Sequence, residues 1–567
     1  MSQERTVRRD GSQFSDETVD GFIARAFMRG GGRSAEAVRS RPVVGICSSW
    51  SELNPCNGGL QDLAAAVKRG ILVAGGFPLV FPTISISEPF SRPSSLLLRN
   101  LMAMDVEQMI RCSPLDAVVV LGGCDKTVPA QLMGVVSADV PTIAVTAGPR
   151  PVGRWRGEAL TIDDLWTMAD ERRRGALGDA DWARLEGCLI GGFGTCNVMG
   201  TATTMSAVAE VLGFALPGSS LAPSGSAART AYAERAGARA VAVAGEAGAV
   251  TQISLRSLEN AFRVVCAIGG STNAVIHLTA IAGRAGIRLD LDRLHAWAST
   301  TPILADVRPA GRHLLADLEA MGGIPAVVRE LAPLFDLELP TASGHSWGDE
   351  IAALPAFEEN GSLHRFEHPV RPGPSIAVVR GTLAPEGAVV KRSAASESLM
   401  THVGPAVCFD GVEDLNARIN SPDLDIHPAS VLVLRGVGPR GGPGMPEVGH
   451  LPIPTRLLDE GITDMVRISD ARMSGTATGT VVLHVAPEAA AGGPLQLVRD
   501  GDLISLDVDS GRLDILVPEG ELRARAAAQP SWQAPSRGYD RLHFDRVLQA
   551  PDGCDFDFLR HEALTDA

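Results

Sequence analysis

Residues 113–138 read SPLDAVVVLGGCDKTVPAQLMGVVSA. A β-branched apolar run, a Gly-Gly turn and a helix-forming stretch follow one another, the order of a strand, its loop and a covering helix. The run does not alternate with polar residues, so both of its faces are expected to be buried, as in a parallel sheet flanked by helices. The pattern recurs in both directions. Upstream, RPVVGICSSW (41–50) leads through a glycine turn to LQDLAAAVKRGILVAGG (60–76). Downstream, VPTIAVTAG (140–148), CLIGGFGTCNVMGTATTMSAVAEVLG (188–213) and ARAVAVAGEAG (238–248) are expected to repeat it.

The pattern sets an organisation for all 567 residues. Residues 1–40 read as a peripheral segment with one amphipathic helix near Val19–Met28. Residues 41–375 read as a large α/β domain with a parallel sheet. Its last part, 340–375, is rich in Pro, Gly, Ser and charge and reads as a linker or surface crossover. Residues 376–567 read as a smaller β-rich, barrel-like domain, from short runs such as SIAVVRGTLAPEGAVVK (375–391), PAVCFDG (405–411), ASVLVLRGVG (429–438), GTVVLHVAPEAA (479–490) and GDLISLDVDSGRLDILV (501–517).

Composition narrows the function. With 51 basic and 66 acidic side chains the formal charge is −15, which argues against a protein that neutralises nucleic-acid phosphates. Apolar residues make up 45% of the chain, and no apolar run is long enough to span a membrane. The N-terminus lacks the apolar core of a secretory signal, so a cytoplasmic location is expected. Nine cysteines, an odd number and dispersed, do not suggest a disulfide framework there.

Three of these cysteines share a setting. Cys56 lies in SELNPCNGG, Cys124 in VVVLGGCDKT and Cys196 in GGFGTCNVMG. The last two sit in glycine turns that precede helices, where ligands gather in open α/β sheets and where a thiolate is favoured. Taken singly, each is an ordinary thiol in a turn. Cys124 is followed by Asp125 and Lys126, however, which sets a soft ligand beside a hard one. Glu88, in PTISISEPFSRP, and Glu447, in GGPGMPEVGH, occupy Pro/Gly-bounded loops. Together these residues suggest a mixed site for iron–sulfur and a hard cation.

Seven segments then carry a resemblance: GICSSWSELNPCN, FPTISISEPFSRP, GGCDKTVPAQLMG, GTCNVMGTATTM, IGGSTNAVIHL, GPGMPEVGHLPIP and MVRISDARMSGTATGTVVLHVAPEAA. They resemble the dihydroxy-acid dehydratase and phosphogluconate dehydratase family, most closely its sugar-acid branch of arabinonate and xylonate dehydratases. The similarity runs from about residue 40 to the GCDFDF end. It implies that Cys56, Cys124 and Cys196 ligate an iron–sulfur cluster, with 2Fe–2S favoured over 4Fe–4S. It implies magnesium ligation by Glu88 and Asp125, by a carbamylated Lys126, and by Glu447 from the second domain. Ser474 matches the serine proposed as catalytic base, and Thr476 is a substrate contact beside it.

The implied activity is a hydro-lyase that converts a sugar acid to a 2-keto-3-deoxy acid, in a homodimer or homotetramer. Three cysteines leave one iron of a cluster open, which suits Lewis-acid work rather than electron transfer. Ser474 needs a nearby positive element to act as a base; without the resemblance it reads as a serine capping a turn. A branched-chain dihydroxy-acid dehydratase is the nearest alternative, and an electron carrier or a silent homologue are others. GVGPRGGPG resembles a phosphate cradle but lacks the GK[ST] that such a loop requires, and it reads better as the support of Glu447. Cys47 and Cys266 read as core, and Cys112, Cys188, Cys408 and Cys554 carry no role. His450 stands where the sugar-acid branch implies Asn, a departure that bears on substrate hydroxyl contacts.

Overall fold

The computed structural model describes residues 12–356, 359–529, 531–561 and 564–566. Strands β1 (Val43–Ser48), β2 (Phe77–Pro82), β3 (Ala117–Gly122) and β4 (Thr142–Thr146) form a sheet in the order β2-β1-β3-β4. All its pairings are parallel, with Val44 opposite Ala117 and Val118 opposite Thr142. Successive side chains serve opposite faces. Val44, Ile46, Val119 and Leu121 share a core with the helices Leu60–Val73 and Ala227–Ala242. Val43, Cys47, Val118 and Val120 share another with the helices Arg99–Arg111 and Thr127–Ala138.

The first helix pair crosses at two glycines. A Cβ at Gly70 would lie 1.8 Å from Glu234 O, and one at Gly237 would lie 2.1 Å from Val67 O, so no side chain fits at either position. Three further helices, Thr201–Val211, Leu255–Ala267 and Asn273–Arg284, are buried around most of their circumference. A small antiparallel hairpin, β5 (Gly153–Trp155) and β6 (Glu158–Leu160), lies apart.

The second half is an eight-stranded sheet. Its strands are β7 (Ala377–Val379), β8 (Gly387–Val390), β9 (Thr401–Asp410), β10 (Val431–Arg435), β11 (Arg467–Ser469), β12 (Val481–Ala486), β13 (Leu503–Asp507) and β14 (Arg512–Ile515). They run in the order β14-β13-β9-β10-β11-β12-β8-β7. The ends also meet: Arg380, just past β7, bridges Arg512 of β14, with Arg380 N donating to Gly511 O and Leu513 N to Arg380 O, both at 2.9 Å. The sheet is thus a nearly closed barrel, filled by Ala377, Val379, Val390, Val433, Val482 and Leu506 among others. A large α/β half with a parallel sheet and a smaller barrel-like half are what the sequence led one to expect.

Local expectations fail in three places. No strand precedes Cys196: the helix Asp179–Cys188 ends and an irregular loop runs to Gly200, with Gly192 and Gly194 at φ 152° and 119°. Residues 238–248 form no strand either: 238–242 complete the helix Ala227–Ala242 and the rest is turn and loop; alanine and arginine at this density favour helix over the interspersed valines. The stretch 340–375 is no loose linker. It carries the helix Trp347–Ala352, whose Trp347 is fully buried, and bridges Ile303–Arg371 and Ala305–Leu363 fasten it to the first half. The helix expected near Val19–Met28 spans Val19–Gly30. Among the described residues, no helix is long and apolar enough to cross a membrane.

Candidate active site

Cys124 occupies the loop between β3 and the helix Thr127–Ala138. The preceding Gly123 is required there, because a Cβ would meet Ala147 Cβ at 2.4 Å. Cys56 lies in a single helical turn, Pro55–Asn57, and the two loops are tied by Asn57, whose Oδ1 accepts from Cys124 N at 3.2 Å. The Cys56 and Cys124 thiols are hydrogen-bonded to each other. That bond, helped by Arg150, outweighs burial and lowers the Cys56 thiol below its ordinary value. The same bond and burial raise Cys124. Arg150 Nη2 donates to Cys56 Sγ at 3.3 Å, and its Nε donates to Thr195 O at 2.9 Å, so one guanidinium links Cys56 to the residue before Cys196. Burial pushes Cys196 up to about 12, against the opposing charge of Arg150.

The carboxylates adjoin these thiols. Glu88 lies beyond β2, and its N–H donates to Cys124 Sγ at 3.4 Å. One oxygen each from Glu88, Asp125 and Glu447 lies within 4.8 Å of the others, a grouping able to hold a metal ion. Lys126 Nζ stands among them, 2.9 Å from Glu88 Oε2, 2.9 Å from Glu447 Oε1 and 3.5 Å from Asp125 Oδ2. Burial and Arg472 push its ammonium down, but the three carboxylates more than offset them and hold it above its ordinary value. Burial also opposes ionisation of Glu88, yet Lys126, Arg472 and the Ser95 hydroxyl bring it to about 2. Asp125 and Glu447 are raised, chiefly by burial. Such mutual dependence is typical of a built site, in which each charge is stable only because of the others.

Glu447 comes from the second half, on the glycine-rich loop after β10. Gly444 in that loop presses on the first half: a Cβ would lie 2.3 Å from Leu97 N. Arg472 Nη1 and Asn273 Nδ2 donate to Glu447 Oε1 at 2.7 and 3.0 Å. Ser474 and Thr476 lie on the loop between β11 and β12, in a turn closed by Ala477 N donating to Ser474 O at 3.1 Å; no helix follows it. Their hydroxyl oxygens are 2.8 Å apart, and Thr476 N donates to Ser474 Oγ at 3.3 Å. Thr476 also adjoins the thiol region, since a Cβ at Gly200 would lie 3.4 Å from Thr476 Cγ2 and 4.0 Å from Cys196 Cβ.

The nine residues singled out in the sequence therefore lie in one neighbourhood. Cys47, Cys266, Cys408 and Cys554 are buried away from it, Cys112 is exposed and Cys188 half-buried. His450 packs on Trp166 with ring centroids 5.5 Å apart. Sequence reasoning missed Arg150, Trp166, Asn273 and Arg472. Asn273 and Arg472 sit inside segments that carry the resemblance, which is a signal that could have found them; Arg150 and Trp166 lie outside all seven.

The donor sets suit two different metals. Three thiols are soft ligands and three carboxylates are hard ones. Around them, Ser87 Oγ beside Glu88 and Asn197 Nδ2 beside Cys196 are buried without a partner among the described residues. These are donors that an anionic inorganic group could satisfy.

Comparison with known proteins agrees with the geometry. Residues 41–350 match the dihydroxy-acid/6-phosphogluconate dehydratase N-terminal family, and residues 362–554 match its C-terminal counterpart. The L-arabonate dehydratase of Azospirillum brasilense is 45% identical over 571 residues, covering 99% of this chain and 98% of that protein. The 6-deoxy-6-sulfo-D-gluconate dehydratase of Pseudomonas putida is 44% identical over 556 residues, covering 96% and 95%. A dihydroxy-acid dehydratase of Solidesulfovibrio magneticus is 38% identical over 506 residues, covering 88% and 90%. With both halves matched in order and relatives aligned end to end, the chain belongs to the dihydroxy-acid/6-phosphogluconate dehydratase family and is an enzyme of the hydro-lyase class.

Proposed function

We propose that this enzyme removes water from an aldonic acid, giving a 2-keto-3-deoxy acid. The observation that carries this proposal is the meeting of two sets of groups from opposite halves. The three thiols, Glu88 and Asp125 come from residues 41–375, and Glu447 with a paired serine and threonine comes from residues 376–567. The reaction needs a base at C2 and help for a hydroxide leaving C3, and such a division of groups supplies both.

Cys56, Cys124 and Cys196 would hold an iron–sulfur cluster, of the 2Fe–2S type, while Glu88, Asp125, Glu447 and a carbamylated Lys126 would hold Mg2+, and when bound the two groups supply Lewis acidity. The chain's own residues do the rest. Trp166 Nε1 donates to Thr476 Oγ1 at 3.0 Å, which leaves the Thr476 hydroxyl hydrogen free to point at Ser474 Oγ. With Thr476 N also donating, Ser474 Oγ has two donors within reach, and an ionised Ser474 can only accept from the Thr476 hydroxyl. Donors preset around an oxygen favour its charged form, as in an oxyanion hole. Ser474 in that form takes the C2 proton. Loss of the C3 hydroxide leaves an enol, which tautomerises to the 2-keto acid. Arg472 and Asn273 keep Glu447 in place throughout. A cytoplasmic homodimer or homotetramer completes the proposal.

Two relatives named for sugar acids support this substrate class, and the 38% identical dihydroxy-acid dehydratase supplies the rival. An anaerobic assay of pentonates and hexonates beside 2,3-dihydroxyisovalerate, read as 2-keto acid formed, decides between them. Turnover of an aldonic acid at the higher kcat/KM is expected. Preference for 2,3-dihydroxyisovalerate would overturn the substrate assignment.

A further inference from the structure

Lys391 follows the last residue of β8 and has no part in the site described so far. It is 1% exposed, and its Nζ donates to a single acceptor among the described residues, Gly475 O at 3.2 Å. No described carboxylate is paired with it, and burial alone lowers its ammonium to about 8. Burying a cation without a counter-charge is costly, and an apolar side chain of equal volume would be cheaper there.

Its target explains its presence. The carbonyls on either side of Ser474 are each held by a buried donor from a different half: Met473 O accepts from Asn273 Nδ2 at 3.2 Å, and Gly475 O accepts from Lys391. Gly475 lies against the start of the helix Thr201–Val211, where a Cβ would be 2.7 Å from Thr201 N and 2.9 Å from Gly200 Cα. The turn therefore has no room to shift toward that helix. The Gly475 carbonyl and the Thr476 N–H belong to one planar peptide unit. That N–H is the group that donates to Ser474 Oγ. A cation on the carbonyl side of a peptide strengthens the donor on its other side, because hydrogen bonds in series polarise one another.

We propose that Lys391 is a positioning residue that orients and polarises the Gly475–Thr476 peptide, so that its N–H stabilises the ionised hydroxyl of Ser474. This role rests on Ser474 being the base. Among the described residues Lys391 Nζ bonds none of the candidate metal ligands, and its charge acts on Ser474 through that peptide.

The test uses the intact, metal-loaded enzyme. Lys391→Met removes the charge while keeping the volume. It should lower kcat about a hundredfold with KM within about twofold, the scale of losing one oxyanion donor. Iron and magnesium content should stay at parental values, and the thermal midpoint should not fall below the parent's. In a Ser474→Ala background the same substitution should cause no further loss, since groups acting through one another are not additive. A Lys391→Met enzyme with parental kcat overturns the role, as does a full second loss in the double variant. Should Lys391→Met not fold, Lys391→Gln carries the test: a folded Gln variant with lowered kcat and unchanged KM supports the role, and one with parental kcat overturns it. Parental turnover by Ser474→Ala alone would instead show that the base assignment is at fault.

Discussion

Lys126 and Glu447 are 321 positions apart in sequence, yet their side chains meet at 2.9 Å. Cysteines and acids in glycine- or proline-bounded loops were legible in the sequence because such loops seldom bury a charge without a use. Arg150, Asn273, Arg472 and Lys391 were not, because an arginine or asparagine in an apolar segment looks the same whether it faces water or a thiol. Only the tertiary approach separates the two cases. Cys124 is the residue to test at this scale, since it contacts Cys56, the Glu88 amide and the Asn57 side chain. Cys124→Ser should leave anaerobically purified protein without visible cluster absorption and without turnover. Stoichiometric iron together with parental turnover would refute its ligand role.

At the scale of elements, the glycine-rich loop that delivers Glu447 is anchored by two buried carboxyl groups. Asp470 accepts from Gly436 N, Val437 N and Ala489 N at 3.2, 3.1 and 3.0 Å, and Glu488 accepts from Arg440 N and Gly441 N. Burial and the neighbouring Glu488 raise Asp470 from 3.8 to about 7 in spite of these donors. The folded protein thus holds this proton more tightly than the unfolded chain does. The stabilisation is full below 3.8 and is lost as pH rises through about 7. Asp470→Asn should remove that dependence, so the gap in thermal midpoint between parent and variant should move against the parent as pH rises toward 7. A gap constant with pH would refute the assignment. Strand runs were read well where β-branched residues were unbroken, as in 117–122. They were misread at 238–248, where alanines between the valines let the helix win, and β11 is only three residues long, too short for any periodicity to show.

For the molecule as a whole, the C-terminal tail matters more than its composition suggested. Asp555, in the CDFDF stretch, is buried in an ion pair with Arg284, Nε to Oδ2 at 2.6 Å. Arg99 Nη2 and Asn100 Nδ2 both donate to Cys554 O at 2.9 Å. The tail thereby returns to the first half and locks it. Asp555→Ala leaves Arg284 buried beside Glu107, at 3.6 Å, and Ser137 as its remaining side-chain partners among the described residues. It should cost about 3 kcal/mol, measured as a drop in the chemical denaturation midpoint. A change below about 0.5 kcal/mol, the scale of a surface substitution, would show that the tail is not an anchor.

The contact between Arg380 and Arg512 has a consequence for synthesis. One edge of β7 finds its neighbour only when β14 has been made, more than a hundred residues later on the ribosome. Until then that edge is an open template for strands of other nascent chains. The parallel sheet of the first half pairs β1–β4 within residues 43–146 and takes its outer bridge at Ala215 and its covering helix Ala227–Ala242 from residues upstream of β7, so it can mature during translation while the barrel waits for its final hairpin. Ribosomal stalling between these two points should therefore be far more prone to aggregation than stalling before β7 emerges.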